Sequence, residues 1–75
     1  MNAIIRLESV PRKGGAVTHV REFGVFSYDV DFLDSTVKYQ PAVNPKKIIY
    51  LHADKIITVT GDTSIPVVIC TTYED

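Results

Sequence analysis

Apolar and polar residues alternate along much of this chain, most clearly at residues 23–34, FGVFSYDVDFLD. The large apolar side chains there occupy every second position, at Phe26, Tyr28, Val30 and Phe32. The carboxylates of Asp29 and Asp31 fall between them. A period of two is typical of an antiparallel strand that packs one face on a core and leaves the other in water. The pattern therefore predicts a strand with a buried aromatic face and a solvated acidic face.

The same alternation, with turn-forming residues between the runs, predicts seven strands. They cover residues 3–10, 16–23, 25–33, 36–39, 47–52, 55–60 and 66–72. No window has the i, i+3, i+4, i+7 apolar spacing of an amphipathic helix. The first two strands are joined by a loop that contains Gly14 and Gly15, which predicts a hairpin. The fifth and sixth are so close that we expect a tight hairpin or one bent strand, and residues 61–64 are predicted to form a turn.

β-Branched residues dominate the composition and support an all-strand fold. The chain has ten Val, eight Ile and seven Thr against three Leu and four Ala, and branched Cβ atoms suit a pleated sheet better than a helix. At 75 residues we expect a single small β domain, 1–75, with a small core. The predicted fold is all-β, a small bent antiparallel sheet or a partly closed barrel of five to seven strands. The predicted core positions are Ile5, Leu7, Val20, Phe26, Tyr28, Val30, Phe32, Ile49, Leu51, Ile57, Val59, Val67 and Ile69.

Charge gives the chain no overall attraction to polyanions, but it is ordered along the sequence. Eight Lys and Arg nearly balance nine Asp and Glu, for a net charge of −1, so no global field favours nucleic acid or anionic lipid. Basic residues dominate 1–21 and 35–55, and acidic residues dominate 22–34 and 56–75. Such blocks would either face one another across neighbouring strands or form acidic and basic faces that dock another protein.

Residues that commonly carry catalysis or bind metals are few and scattered. Cys70 is the single cysteine and lies in the apolar run VVICTT, where a thiol behaves as a small hydrophobic group. His19 and His52 are far apart in sequence, and a zinc site needs three or four convergent ligands. The aspartates of residues 29–34 lack the spacing, glycine and closing glutamate of a calcium loop. We therefore expect no enzymatic activity, no metal and no cofactor.

Two charged segments contain the candidate partner-binding residues. Arg12 and Lys13 precede two glycines in a loop that could approach an anion, but the loop lacks the spacing and the helix of a phosphate-binding P-loop. Asp29 and Asp31 lie on the predicted solvated face of the third strand. For each segment a purely structural role is the alternative: a soluble hairpin tip for the first, a wet strand face for the second.

The leading functional prediction is a non-catalytic protein-binding or regulatory module that docks a surface onto a larger protein. Small adaptors and inhibitors, including those of viruses and mobile elements, have this size and need no cofactor. One alternative is a small β-barrel that binds nucleic acid, through Arg6, Arg12, Lys13, Arg21, Tyr39, Lys46 and Lys47. Another is a structural homo-oligomer built by strand addition, since the apolar run SIPVVICTTY must be central, covered or paired.

Cysteine content and hydropathy lead to an expected compartment. One cysteine cannot form the intramolecular disulfides that small secreted domains usually carry. The N-terminal segment MNAIIRLESV lacks the apolar run of a signal peptide. No run approaches the roughly 20 apolar residues of a membrane span. We expect a cytoplasmic chain with no membrane partner.

Overall fold

The computed structural model describes residues 2–61 and 65–75, and these residues form one curled sheet. Its strands are β1 (Ala3–Pro11), β2 (His19–Asp31), β3 (Thr36–Pro41), β4 (Ile49–His52), β5 (Lys55–Val59) and β6 (Val67–Glu74). They lie in the order β4-β3-β2-β1-β6-β5 and form an open half-barrel. This confirms the predicted small bent sheet or partly closed barrel, with one addition: β1 and β6 are parallel, whereas the other neighbours are antiparallel.

Helix is absent from the described ranges, so no helix there has the length and hydrophobicity to cross a membrane. The predicted turn at residues 61–64 falls mainly on residues 62–64, which lie outside the described residues. The predicted hairpin of the first two strands is confirmed by the antiparallel pairing of β1 with β2.

β2 is one long strand where the alternation predicts two. The predicted strands 16–23 and 25–33 join through Gly24, and residues 16–18 precede the strand. The first half of β2 pairs with β1 and the second half with β3. β2 therefore connects the two halves of the sheet, β5-β6-β1 and β3-β4.

A β-bulge at Phe26 explains how β2 serves both halves. The apolar side chains of β2 that face inwards are at odd-numbered positions before the bulge, Phe23 and Val25, and at even-numbered positions after it, Tyr28 and Val30. Because side chains alternate along a strand, one extra residue is needed to keep both pairs facing inwards. The register accordingly shifts between Val25 and the residue after Phe26. Phe26 is 47% exposed, which corrects its predicted place in the core.

The link between β4 and β5 is not the predicted tight hairpin or bent strand. The two strands lie at opposite edges of the sheet, although only Ala53 and Asp54 separate them in sequence. The crossing is short because the sheet curls until its edges approach each other. The Ala53 N–H donates to the Ser35 carbonyl (3.1 Å), and the Asp54 N–H donates to the Thr71 carbonyl (3.0 Å). These bonds tie the turn before β3 to β6 and close one corner of the half-barrel.

The core fills the inside of the half-barrel. Its buried residues are Ala3, Ile5, Val25, Val37, Tyr39, Ala53, Ile56, Val68 and Cys70. Ile5 was predicted correctly as a core residue, and five further predicted positions pack against the core while remaining partly exposed. These are Leu7, Tyr28, Val30, Ile49 and Leu51.

The remaining predicted core positions lie outside the core. Val20, Phe32, Ile57 and Val59 are exposed, and Val67 and Ile69 are half-buried. Phe32 follows the last residue of β2 and lies in a turn. Val20 lies opposite Glu8 on the outer face of the β1–β2 pair. The four positions in β5 and β6 fail for a different reason: both alternating sets there are apolar, so the sequence period cannot tell which set faces inwards. Register decides, because Ile5 of β1 lies beside Val68 of β6.

Candidate docking surfaces

Side chains with catalytic or metal-binding chemistry do not converge in the described part of the chain. Among these residues no group of three or more His, Cys, Asp and Glu side chains could hold a metal. Cys70 is buried, and its burial raises the pKa of the thiol, which disfavours the reactive thiolate. His19 begins β2 and His52 ends β4, two strands that are not neighbours in the sheet.

The predicted basic loop, residues 12–15, lies in a link that extends over residues 12–18 in the structure, and its contacts explain it structurally. The side-chain Nε of Arg12 donates to Asp75 Oδ1 (2.7 Å). The backbone N–H of Arg12 donates to the carbonyl of Glu74 (2.6 Å). Arg12 thus fastens the last residues of the chain to the loop, while Lys13 is exposed. Positive φ angles of 98° at Gly14 and 117° at Gly15 require glycine, because L side chains rarely adopt them. The glycines therefore serve the turn.

Asp29 and Asp31 lie exposed on the outer face of the sheet, as the alternation predicts. Asp29 is opposite Lys38 in the β2–β3 register. Asp31 Oδ1 accepts hydrogen bonds from the backbone N–H groups of Leu33 and Asp34, each at 3.1 Å, so it holds the β2–β3 turn. With neighbouring side chains they line a shallow depression of about 300 Å³.

The two predicted partner-binding segments are not brought together. The basic loop precedes β2 and the two aspartates end it, and β2 has 13 residues. At about 3.3 Å per residue a straight strand of this length would reach roughly 40 Å, and the longest extent of the curled molecule is 37 Å. The two segments therefore lie at opposite ends of the molecule and do not form one surface.

The outer face of β3, β4 and the second half of β2, which includes these aspartates, is polar. Its cross-strand rows are Ser27 with Gln40, Asp29 with Lys38 and Tyr50, and Asp31 with Thr36 and His52. Ser27 Oγ donates to the side-chain oxygen of Gln40. This half of the sheet has the inside-apolar, outside-polar character expected of a half-buried antiparallel sheet.

One end of the outer face of β1, β6 and β5 is apolar instead. We call it the outer apolar patch, and its residues are Ile4, Ile57, Val59, Val67 and Ile69. Val59, Val67 and Ile4 form one cross-strand row, and Ile57 and Ile69 form the next. Ile57 and Val59 are exposed on the edge strand β5, and the other three are half-buried. Strands that are apolar on both faces are typical of sheets covered on both sides.

Charged groups border this patch and largely neutralise one another. Arg6 continues the row of Ile57 and Ile69, and its Nη1 donates to Glu22 Oε1 at 2.9 Å. Its Nε lies 3.4 Å from Glu8 Oε2. An apolar centre with a polar rim is the usual anatomy of a protein–protein interface.

A second apolar concavity lies inside the half-barrel, at its open side. We call it the inner groove; it has a volume of about 600 Å³. Its lining residues are Leu7, Arg21, Phe23, Gly24, Tyr39, Pro41, Ala42, Val43, Ile49 and Leu51. The rings of Phe23 and Tyr39 meet at a centroid distance of 5.4 Å. The Arg21 guanidinium lies over the Phe23 ring, 5.6 Å from its centroid.

The residues of the nucleic-acid alternative are dispersed and partly engaged. Arg6 and Arg12 have carboxylate partners, and Arg21 lines the inner groove. Tyr39 is only 8% exposed, so its ring face is not an open platform for base stacking. Lys46 and Lys47 lie in the link between β3 and β4. This order of charges matches the structural interpretation of the charge blocks, in which opposite charges meet across strands.

No family model, curated protein or solved structure matches this chain. Its surfaces are therefore assigned from geometry. The sequence predictions include neither apolar surface. Most residues of the outer apolar patch are predicted in the core, and the inner groove is not predicted. The signal that could have found this patch is the two-sided apolar character of IITV and PVVIC. For the inner groove the signal is Arg21 two positions before Phe23, on the same face of one strand.

Proposed function

We propose that this chain is a non-catalytic protein-binding module that docks onto a larger protein through the outer apolar patch. The observation that carries the proposal is the position of Ile57 and Ile69. They are side by side on the outer face of a sheet whose inner face already has its own core. Covering them would remove apolar surface from water, at about 25 cal/mol per Å².

The total surface area supports a covered face. The chain exposes 5186 Å², whereas a monomer of 8.4 kDa is expected to expose about 4,600 Å². A stable interface of standard size buries about 800 Å² on each partner. The excess reflects the open, curled sheet, which leaves both the outer apolar patch and the inner groove uncovered.

The partner that fits is a protein with an apolar strip and few charges at its centre. Arg6 pairs with Glu8 and Glu22, and Lys55 lies in the row of Glu8, so two positive and two negative charges leave the rim of the patch without a dominant sign of charge. Long-range steering by one sign of charge is therefore not the source of specificity. Apolar side chains from the partner would pack between Ile57, Ile69 and Ile4, and the rim would exclude water around them.

The test compares matched substitutions on the two edge strands. Ile57→Asp places a charge in the patch on β5, and Tyr50→Asp places one on the outer face of β4; both side chains are exposed, at 42% and 70%. Circular dichroism and urea unfolding first establish that both variants fold. A protein captured by the wild-type chain is then identified, purified and titrated against each variant by calorimetry.

We expect one-to-one binding that weakens at least about tenfold in Ile57→Asp, or about 1.4 kcal/mol, and is retained in Tyr50→Asp. Equal binding by both variants would reject the patch. Light scattering at two concentrations provides the check on self-association. If the purified chain is a dimer that Ile57→Asp dissociates, the occupant is a second copy and docking onto a larger protein is wrong.

A further inference from the structure

The inner groove has the size and lining of a site for a small molecule. Its volume of about 600 Å³ falls within the roughly 300–1,000 Å³ of small-molecule pockets. Leu7, Phe23, Tyr39 and Ile49 contribute apolar surface from four neighbouring strands. Three inter-strand spacings of about 4.8 Å give the lining a width of roughly 14 Å. That width accommodates an alkyl chain of medium length.

Arg21 is the one charged residue among those that line the groove. The other two arginines of the chain, Arg6 and Arg12, form ion pairs with carboxylates. In the described part of the chain no carboxylate lies within 4.0 Å of the Arg21 guanidinium. Its position over the Phe23 ring restrains the guanidinium through cation–π attraction. A guanidinium has five N–H donors in a planar fork, and such donors can bind an oxyanion.

We propose that the inner groove binds a small amphipathic carboxylate of the medium-chain fatty-acid type. The carboxylate would accept hydrogen bonds from Arg21, and the alkyl chain would lie along Phe23, Leu7 and Ile49. Charge complementarity selects this occupant, because an apolar site with a single unpaired cation favours an apolar molecule with a single anionic end. The groove is open on one side, so the carboxylate keeps part of its hydration and the cost of burying its charge stays small.

The test is a titration of the isotopically labelled 75-residue chain with decanoate, decanol and decyltrimethylammonium, followed by NMR. All three probes are used below the concentrations at which they form micelles. We expect decanoate to shift the methyl signals of Leu7, Ile49 and Leu51 and to saturate. Decanol should bind about tenfold more weakly, because it lacks the charge that pairs with Arg21. Decyltrimethylammonium should produce no saturable shift at these methyl groups.

Two arginine variants distinguish binding at a specific site from non-specific hydrophobic binding. Arg21→Gln should weaken decanoate binding about tenfold and leave decanol binding unchanged. Arg12→Gln is the matched control, since its partner Asp75 lies outside the groove, and it should bind decanoate as the wild type does. If Arg21→Gln binds decanoate with wild-type affinity, the assignment of Arg21 is wrong.

Three further results would overturn the proposal. The first is the absence of saturation by decanoate up to about 1 mM. The second is a set of shifts confined to Ile57 and Ile69 of the outer apolar patch. The third is a change in the groove signals with protein concentration alone, which would identify a second copy as the occupant. None of these outcomes depends on whether the outer apolar patch docks a protein, so the two proposals stand or fall separately.

Discussion

The two halves of this sheet have similar inner faces and different outer faces. Both contribute apolar side chains to one core, through Val37 and Tyr39 on one side and Val68 and Ile56 on the other. Outside, β3 and β4 present a polar ladder, whereas β1, β6 and β5 present the outer apolar patch. The polar half has an apolar inner face and a polar outer face, so it needs no further cover. The apolar half has the character of a sheet that is covered on both sides.

This difference separates residues needed for folding from residues available for binding. Ile56 and Ile57 are adjacent in sequence on β5, and their side chains point to opposite faces. Ile56 is 8% exposed and Ile57 is 42% exposed. The same residue type is therefore buried on one face of the strand and exposed on the other, and substitutions at the two positions should affect different measurements.

The largest effect is expected for Ile56→Ala compared with Ile57→Ala. Truncation of Ile56 leaves a cavity in the core, so the free energy of unfolding should fall by about 2–4 kcal/mol. Truncation of Ile57 removes a partly solvated side chain, and the loss should stay below about 1 kcal/mol. Urea unfolding of the two variants checks this. Equal losses would mean that β5 is buried on both faces within the isolated chain, and the comparison of faces would fail.

The next effect concerns the corner at which the two halves meet. Asp54 Oδ2 accepts a hydrogen bond from the Tyr73 N–H at 2.8 Å, just where the chain crosses from β4 to β5. Asp54→Ala should lower the free energy of unfolding by about 1–2 kcal/mol, because a hydrogen bond to a charged acceptor is lost. Asp29→Ala is the control on the polar face and should cost less than Asp54→Ala, at most the roughly 0.2–1 kcal/mol of its cross-strand pair. A cost at Asp29 equal to that at Asp54 would remove the special role of this corner.

A smaller effect, confined to high pH, is expected at Cys70 on the inner face of β6. Burial raises the pKa of its thiol in the folded chain, whereas the thiol of the unfolded chain has an ordinary pKa of about 8.5. Above that pH the unfolded state loses a proton that the folded state keeps, so stability should fall as pH rises. Below it both states are protonated and Cys70 contributes no pH dependence.

Urea unfolding of the wild type and Cys70→Ala between pH 7 and pH 10 isolates this contribution. The difference between their free energies of unfolding should be constant up to about pH 8 and shift by at most about 1.4 kcal/mol per pH unit above it. A wild-type chain that keeps a constant difference from Cys70→Ala through pH 10 would contradict a buried thiol with a raised pKa.

The smallest effect is expected for the polar ladder. Asp29 and Lys38 are directly opposite on β2 and β3, and opposite charges in such pairs contribute about 0.2–1 kcal/mol. A double-mutant cycle with Asp29→Asn and Lys38→Gln, measured at low salt, should give a coupling in that range that weakens at high salt. A coupling of zero would leave Asp29 as a solvated residue with no part in pairing the strands.

Sequence alone predicted the fold class because composition, alternation and turns all favour strands. It located the β1–β2 hairpin, the solvated side of Asp29 and Asp31, and the inward positions of Tyr28 and Val30. It did not predict the bulge at Phe26. The extra residue becomes apparent only when the inward positions of β2 are matched to those of β1 in its first half and to those of β3 in its second half.

The failure to predict the outer apolar patch has a related cause. In β5 and β6 apolar residues occupy successive positions, so either Ile56 or Ile57 satisfies a period of two. The pairing of β6 with β1 is parallel and joins residues about 60 apart in sequence, and local pattern carries no information on such a register. Likewise the crossing at Ala53 and Asp54 looks like a hairpin turn until the curl of the whole sheet is known.

We expect the outer apolar patch, rather than the polar face, to contact the partner. Cross-saturation NMR on the complex of the labelled chain with its purified captured protein tests this expectation most directly. We predict saturation transfer to the methyl groups of Ile4, Ile57 and Ile69, and none to Ile5 and Ile56 in the core. Transfer concentrated instead around Tyr50 and Thr36, with the signals of Ile57 and Ile69 unaffected, would contradict the account.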